Sequence, residues 1–328
     1  MTEAEPALAV DHLRVAFPTR RGLLVAVRDA TFTIERGEIL GLVGESGAGK
    51  SVTGAAIIGL IDPPGRIVGG EIRIGGRRVD QLPDEAMRRI RGREVGAIFQ
   101  DPLTSLNPLY TIGRQLIETI RTHRSMSEAA ARVAAIALLE DVGISAPARR
   151  IDHYPHQFSG GMRQRVVIAL ALAGEPKLII ADEPTTALDV SIQAQIIELL
   201  KRLARHRGVG VLLITHDMGV IGETADRVAV MYAGRLVEIG PVEQIIHHPR
   251  HPYSAGLMGS IPSLRDERDR LAQIEGAMPR LNAIPAGCAF HPRCPRASGR
   301  CAQEDPGLEL REGVGLACWH PLDERATT

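Results

Sequence analysis

An α/β fold built on parallel strands is what this sequence predicts, and three observations carry the prediction. Short apolar runs closed by glycine or a polar residue recur along the chain, the segments between them are helical in pattern, and the glycine-rich stretch "GESGAGKS" (44–51) joins one such run to a helical one. Strands alternating with helices imply parallel pairing, because a parallel neighbour is reached only through a crossover long enough to hold a helix.

The buried-strand candidates, in order, are "EILGLVG" (38–44), "VGAIFQ" (95–100), "LIIADE" (178–183), "VGVLLITHD" (209–217) and "RVAVMYAG" (227–234). Ligands of open parallel sheets gather at the carboxyl ends of strands, which is where the polar residues of these runs fall. From Gln100 to about Glu175 the pattern is mainly helical, as in "IGRQLIETIRTH" and "EAAARVAAIALLEDVG". This predicts a helical subdomain, about 101–175, inserted into a core domain spanning 1–240. From Pro241 onward proline, histidine and all four cysteines collect, predicting a separate C-terminal extension over 241–328.

Composition narrows the class. In 328 residues, 44% hydrophobic and 24% charged content is that of a globular chain with a sizeable core. Lys+Arg and Asp+Glu both number 39, so no global field draws the chain to nucleic acid, and 3% aromatic residues offer no stacking platform. The start, "MTEAEPALAV", lacks the basic-then-apolar order of a signal peptide, and the longest apolar stretch, "VVIALALAG", is about half of the ~18 residues a membrane span needs. The chain is expected to be soluble by itself, with any membrane role exercised through a partner.

"GESGAGKS" matches G-x-x-x-x-G-K-[ST] between a strand and a helix, the context of a phosphate-binding loop. Gly44, Gly47 and Gly49 let the backbone curl around phosphate oxygens, Lys50 reaches the β- and γ-phosphates, and the Ser51 hydroxyl holds Mg²⁺. Lys50, Lys177 and Lys201 are the only lysines in an arginine-rich chain, and a compact ammonium fits between phosphates where a guanidinium does not. "LIIADE" supplies Asp182 as a second Mg²⁺ contact and Glu183 as a general base toward water. Gln100 ends another strand, suited to the metal shell and a water, and His216 follows "LLIT" within reach of a γ-phosphate. A second anion site lies at "FSGGMRQR" (158–165), where Ser159, Gly160 and Gly161 precede a helical run and expose unpaired N–H groups at the positive end of its dipole.

The order phosphate loop, Gln, "SGG", "DE", His resembles the ATP-binding subunit of an ABC transporter over about residues 8–245. The resemblance makes Gly44, Glu45, Ser46, Gly47, Ala48, Gly49, Lys50 and Ser51 the Walker A motif, Gln100 the Q-loop, and Ser159, Gly160, Gly161 and Met162 the signature. It makes Asp182 and Glu183 Walker B with its catalytic glutamate, "TALD" (186–189) the D-loop with Asp189, and His216 the switch histidine. Phe17 is the candidate for stacking on adenine. The resemblance implies two subunits facing head to tail, each ATP lying between one chain's Walker A loop and the other's signature helix, which explains why one chain needs two anion sites. "FSGGM" departs from the commoner leucine and glutamine at the signature's ends and keeps its Ser-Gly-Gly.

ABC-type ATPases also serve DNA repair and translation, so a soluble ATPase with a regulatory or repair role is the alternative. Gln100 and Ser159 stand too close for the long coiled coil of a repair ATPase, and only one cassette is present. "DPLTSLNPLYTIGRQLIE" (101–118), "HQFSGGMRQRVVIALAL" (156–172) and "HPYSAGLMGSIP" (251–262) are similar to the oligopeptide and dipeptide importer ATPases. That likeness implies a peripheral ATPase at the cytoplasmic face of the cell membrane, powering peptide import with two transmembrane permease subunits. It also implies a second ATP-binding subunit, similar or identical, and an extracytoplasmic substrate-binding protein acting indirectly. Residues around Pro102 to Tyr110 are where a permease's coupling helix is expected.

Cys288, Cys294, Cys301 and Cys318 are spaced C-x5-C-x6-C-x16-C. In a reducing compartment such a group points to metal rather than disulfides, and four thiolates suit an iron–sulfur cluster or zinc. "GCAFHPRCPRASGRC…ACW" resembles the cysteine-bearing tail of some peptide-importer ATPases, which implies a [4Fe-4S] cluster; His291 and His320 keep a mixed zinc site open.

Overall fold

The structure is a computed structural model and describes residues 5–20, 22–186, 188–260, 273–311 and 313–323. Its strands are β1 (Leu8–Thr19), β2 (Gly22–Ile34), β3 (Ile39–Val43), β4 (Arg66–Ile74), β5 (Arg77–Arg78), β6 (Val95–Ile98), β7 (Leu178–Asp182), β8 (Gly210–Ile214), β9 (Arg227–Tyr232), β10 (Arg235–Pro241), β11 (Glu309–Arg311) and β12 (Val314–Leu316). Its α-helices begin with α1 (Lys50–Ile57), α2 (Asp84–Ile90), α3 (Pro102–Ser105), α4 (Ile112–His123), α5 (Glu128–Asp141) and α6 (Pro147–Arg150). They continue with α7 (Gly160–Leu172), α8 (Val190–Arg207), α9 (Met218–Thr224), α10 (Val242–His247), α11 (Pro252–Gly259) and α12 (Gly299–Gln303). The chain forms two compact units, one of Met1–Ala9, Thr33–Glu38 and Arg73–Leu213, the other of Val10–Phe32, Ile39–Ile72 and Ile214–Thr328.

The first unit contains β8, β7 and β6 in that spatial order and most of the helices. β6 and β7 pair in parallel, from Val95 opposite Leu178 to Ile98 opposite Ala181, as their continuous apolar runs predict. Helices α4, α5 and α7 pack together from the segment read as helical. Each starts at a hydroxyl cap: the side chains of Thr111, Ser127 and Ser159 accept from the backbone N–H groups of Arg114, Ala130 and Met162. α8 stops at Gly208, a left-handed residue preceded by Arg205, His206 and Arg207, whose charges suit the negative end of the helix.

The second unit orders its main strands β4, β1, β2, β10, β9, β3. β3 is buried at every position and pairs in parallel with β9, Leu40 opposite Arg227 and Val43 opposite Val230. β10 runs antiparallel to β9 and takes on β12, which in turn pairs with β11. The long β1 and β2 strands are absent from the sequence-predicted set. Their faces are only partly buried and interleaved with charged residues, so they never form the continuous apolar run that marks a central strand.

The C-terminal extension belongs to this second unit, and its packing corrects one expectation. The iron–sulfur or zinc site expected at Cys288, Cys294, Cys301 and Cys318 is not formed: the four thiols are free, and among the described residues no group of three or more His, Cys, Asp or Glu side chains could hold a metal ion. Burial raises the thiols of Cys288 and Cys294 and pushes Cys318 up to about 11. The two candidate histidines have other partners, His291 Nδ1 at 2.9 Å from the Cys288 carbonyl and His320 Nε2 at 2.7 Å from the Ser298 hydroxyl.

Strand addition and side-chain packing fold the tail. Leu316 and Gly315 pair with Glu238 and Ile239 of β10, Arg28 Nη2 donates to Asp305 at 3.0 Å, and the Arg300 guanidinium lies 3.4 Å over the Trp319 ring. The cysteine spacing drew attention to the wrong kind of staple. A tail that borrows the free edge of an existing strand needs no metal to close its backbone hydrogen bonds.

Helix α11 is anchored by a carboxylate in the core. Glu238 is buried and accepts from the backbone N–H groups of Arg250 (2.7 Å) and His251 (3.0 Å), while His251 Nδ1 accepts from Tyr253 N at 3.0 Å. Burial lowers His251 to about 3 and raises Glu238. The signs differ. A neutral His251 supplies stability that is present above pH 6.5 and lost as pH falls toward 3, on the order of 5 kcal/mol across that window. Glu238 adds stability as pH falls and it takes up its proton. His251→Asn, which keeps a capping acceptor, is expected to lower the melting temperature at pH 7 and to flatten its fall between pH 6.5 and 3; thermal melts against pH check this.

Candidate nucleotide-binding and hydrolysis site

The phosphate-loop candidate lies in the second unit, between buried β3 and α1. Gly44 has φ +150°, and a Cβ there would stand 2.2 Å from the Met231 carbonyl oxygen; Gly49, at φ +109°, would meet the Ala26 carbonyl at 2.8 Å. Both positions combine a backbone angle that side chains disfavour with a close neighbouring chain, so glycine is required on two counts. The loop curls enough for Lys50 Nζ, buried at the first position of α1, to donate to the carbonyls of Gly44 (2.8 Å) and Glu45 (3.1 Å). Ser46, Gly47 and Ser51 are exposed, and Ala48 is buried. Phe17, half-buried on β1, lays its ring against Gly65, where an added Cβ would be 2.4 Å from Cε1. His216 is exposed just after β8, beside Asp217, which caps α9 by accepting from Gly219 and Val220.

The first unit brings a second group together. Gln100, two residues beyond β6, donates from Nε2 to Glu183 Oε2 at 3.0 Å, and the Thr186 hydroxyl donates to the same oxygen at 2.9 Å. Glu183 follows Asp182, the last residue of β7, and has φ +47°. A left-handed conformation is costly for a residue with a Cβ, and such strain persists where the surroundings fix it, most often at functional turns. Two donors on one carboxylate oxygen, with a strained backbone beneath, hold this side chain in a defined direction.

The signature candidate caps the next helix. Ser159 is the N-cap of α7, with its Oγ accepting from Met162 N at 3.4 Å; Ser159 and Gly160 are exposed, and Gly161 and Met162 are partly so. The helix is tied to the turn after Glu183 by Gln164, fully buried, whose Nε2 donates to the Pro184 carbonyl at 2.7 Å. Sequence reasoning missed Gln164 and read Thr186 only as the first residue of the D-loop stretch, without its bond to Glu183: neither contact carries a signal until the tertiary structure is known. Asp189 is exposed at the N-cap of α8. The donors proposed for Mg²⁺, a hydroxyl (Ser51), an amide (Gln100) and a carboxylate (Asp182), are oxygen-bearing side chains, the chemistry a hard cation takes.

The glycine-rich loop between β3 and α1 and the Ser-Gly-Gly cap of α7 fit the class of ABC-type ATPases, to which comparison with known proteins assigns the chain. Residues 27–186 match the ABC transporter family, and residues 237–301 match the oligopeptide/dipeptide transporter C-terminal region. The chain is 47% identical to the dipeptide transport ATP-binding protein DppD of Escherichia coli over 318 residues, 97% of each chain. It is 48% identical to the Bacillus subtilis protein of the same name, covering 98% of this chain and 96% of that one. The oligopeptide transport ATP-binding protein OppD of Escherichia coli is 45% identical, with 98% and 95% covered. Among solved structures, a dimeric post-hydrolysis state of the ATP-binding cassette MJ0796 bound to ADP and Pi superposes with a TM-score of 0.63 at 29% identity, covering 72% of this chain and 98% of that one.

The chain belongs to the ATP-binding subunits of the oligopeptide/dipeptide ABC transporter family, whose ATP hydrolysis is coupled to transport. Among the described residues no helix is long and apolar enough to cross a membrane.

Proposed function

We propose that the chain powers peptide import from the cytoplasmic face of the membrane, as one of two ATP-binding subunits beneath two permease subunits. Full-length likeness to dipeptide and oligopeptide transport ATP-binding proteins, through the C-terminal region, is the observation that carries this reading.

In this reading the residue roles follow the sequence motifs. Backbone N–H groups of the loop 44–51, apart from that of Glu45, which Tyr253 holds, and the Lys50 ammonium receive the phosphates of ATP, while Phe17 packs on adenine. Ser51, Gln100 and Asp182 would hold Mg²⁺, which would supply neutralising charge to the phosphate oxygens. Glu183, aimed by Gln100 and Thr186, takes a proton from water as it attacks the γ-phosphorus; the bond to the bridging oxygen breaks and ADP leaves, while His216 contacts the transferred phosphate. Ser159, Gly160, Gly161 and Met162 present helix N–H groups to the nucleotide held by a second subunit, and Asp189 lies on the D-loop facing it. Shared anionic phosphates close the pair, and hydrolysis removes the link.

Leu109 is 79% exposed and Phe99 50% exposed, apolar side chains bracketing α3 at the segment proposed to receive a permease's coupling helix. Gentle solubilisation of native membranes and capture of this chain is the test. Two polytopic subunits in stoichiometric amount are expected; recovery of soluble proteins alone, with ATPase activity intact, would overturn the transport role.

A further inference from the structure

The C-terminal extension reaches the phosphate loop itself. Glu45, second residue of the loop, donates its backbone N–H to the Tyr253 hydroxyl at 2.8 Å, and its Oε2 accepts from Arg293 Nη1 at 3.0 Å. Neither partner is a passing surface side chain. The Arg293 side chain is 8% exposed, donates from Nε to the Glu275 carbonyl (2.8 Å) and from Nη2 to the Ile274 carbonyl (3.3 Å), and so presents a fixed fork. Tyr253 is fully buried on α11, its ring 4.7 Å from Tyr232 and 5.4 Å from Phe290, and α11 is pinned to β10 through Glu238. An unbroken set of contacts runs from β10 through α11 to the loop.

Charge gives this brace its meaning. A loop built to take up a polyphosphate carries a carboxylate at its second position, and an uncompensated Glu45 would repel the ligand at short range. A guanidinium in contact cancels that charge without itself occupying the loop. We propose that Arg293 is a positioning residue for nucleotide binding, neutralising Glu45 and, with Tyr253, fixing the entry of the phosphate loop, so that the C-terminal extension sets nucleotide affinity. This inference rests on the reading of 44–51 as the phosphate site.

The test uses the purified full-length chain, titrated with Mg-ATP and assayed for KM and kcat. Arg293→Gln is expected to weaken nucleotide binding about tenfold and raise KM by as much, with kcat at saturation kept, whereas Arg293→Lys stays within about threefold. The decisive variant is the double Glu45→Gln/Arg293→Gln, which removes both charges and is expected to recover most of the lost affinity. A purely structural role for Arg293 predicts no such rescue. Native affinity in Arg293→Gln, or a double variant as weak as the single, overturns the proposal. Should Arg293→Gln not fold, Glu45→Gln alone decides: with the carboxylate gone and the Arg293 charge left beside the loop, nucleotide binding is expected to tighten severalfold, and unchanged or weaker binding overturns the proposal. Lys50→Ala, measured alongside, separates the premise: if that variant binds normally, the phosphate-site reading itself has failed.

Discussion

Glu183→Gln is expected to bind Mg-ATP as the native chain does and to hydrolyse it at least ~100-fold more slowly, since a positioned general base contributes on the order of 10² to 10⁴ in rate. The structure says why the substitution isolates chemistry. A glutamine keeps a carbonyl oxygen for the Gln100 amide and the Thr186 hydroxyl, both now on Glu183 Oε2, and inherits the same left-handed backbone. What it loses is the ability to take a proton. ATP-bound dimers should accumulate, so gel filtration with ATP should show a larger species that the native chain forms only transiently. Near-native hydrolysis would remove Glu183 from its role, and attention would pass to His216.

Lys50→Ala should act one step earlier, weakening nucleotide binding ~100-fold, the scale of a charge-assisted contact worth about 2–3 kcal/mol. Lys50 is buried and already curled over the carbonyls of Gly44 and Glu45, so its ammonium is placed before nucleotide arrives and little side-chain entropy is lost on binding. Truncation leaves those carbonyls without a charged partner, and a modest fall in melting temperature should accompany the loss of affinity. Titration with a fluorescent nucleotide measures the first effect and a thermal melt the second. A variant with intact affinity would overturn the reading of 44–51 as the phosphate site.

Much of this molecule is legible in its sequence, and the reason is physical. β3, β6, β7, β8 and β9 are short runs of consecutive, mostly buried apolar residues, so each announces itself locally. The phosphate loop is equally local, because Gly44, Gly47, Gly49 and Lys50 all fall within one short stretch of chain. What sequence reasoning missed depends on partners far along the chain: β1 and β2 are half-exposed, and Tyr253 and Arg293 meet Glu45 only after the chain has folded back. The strain at Glu183 leaves no trace in residue type. The cysteine tail misled for the opposite reason, since four thiols close in sequence suggest one shared ligand, yet what folds the tail is the open edge of β10.

That edge also dictates a schedule for assembly. In the second unit β3 pairs with β9, and β2 lies beside β10, with Asp29 opposite Arg235, so the first and last thirds of the chain complete one another's hydrogen bonding. During synthesis, β2 and β3 therefore leave the ribosome long before these partners exist, with buried-type apolar faces and unpaired edges exposed meanwhile. The closing step is long-range, slow and vulnerable to aggregation. A chain interrupted before residue 227 would strand both early strands without these neighbours, making chaperone dependence and sensitivity to C-terminal truncation properties of the topology itself.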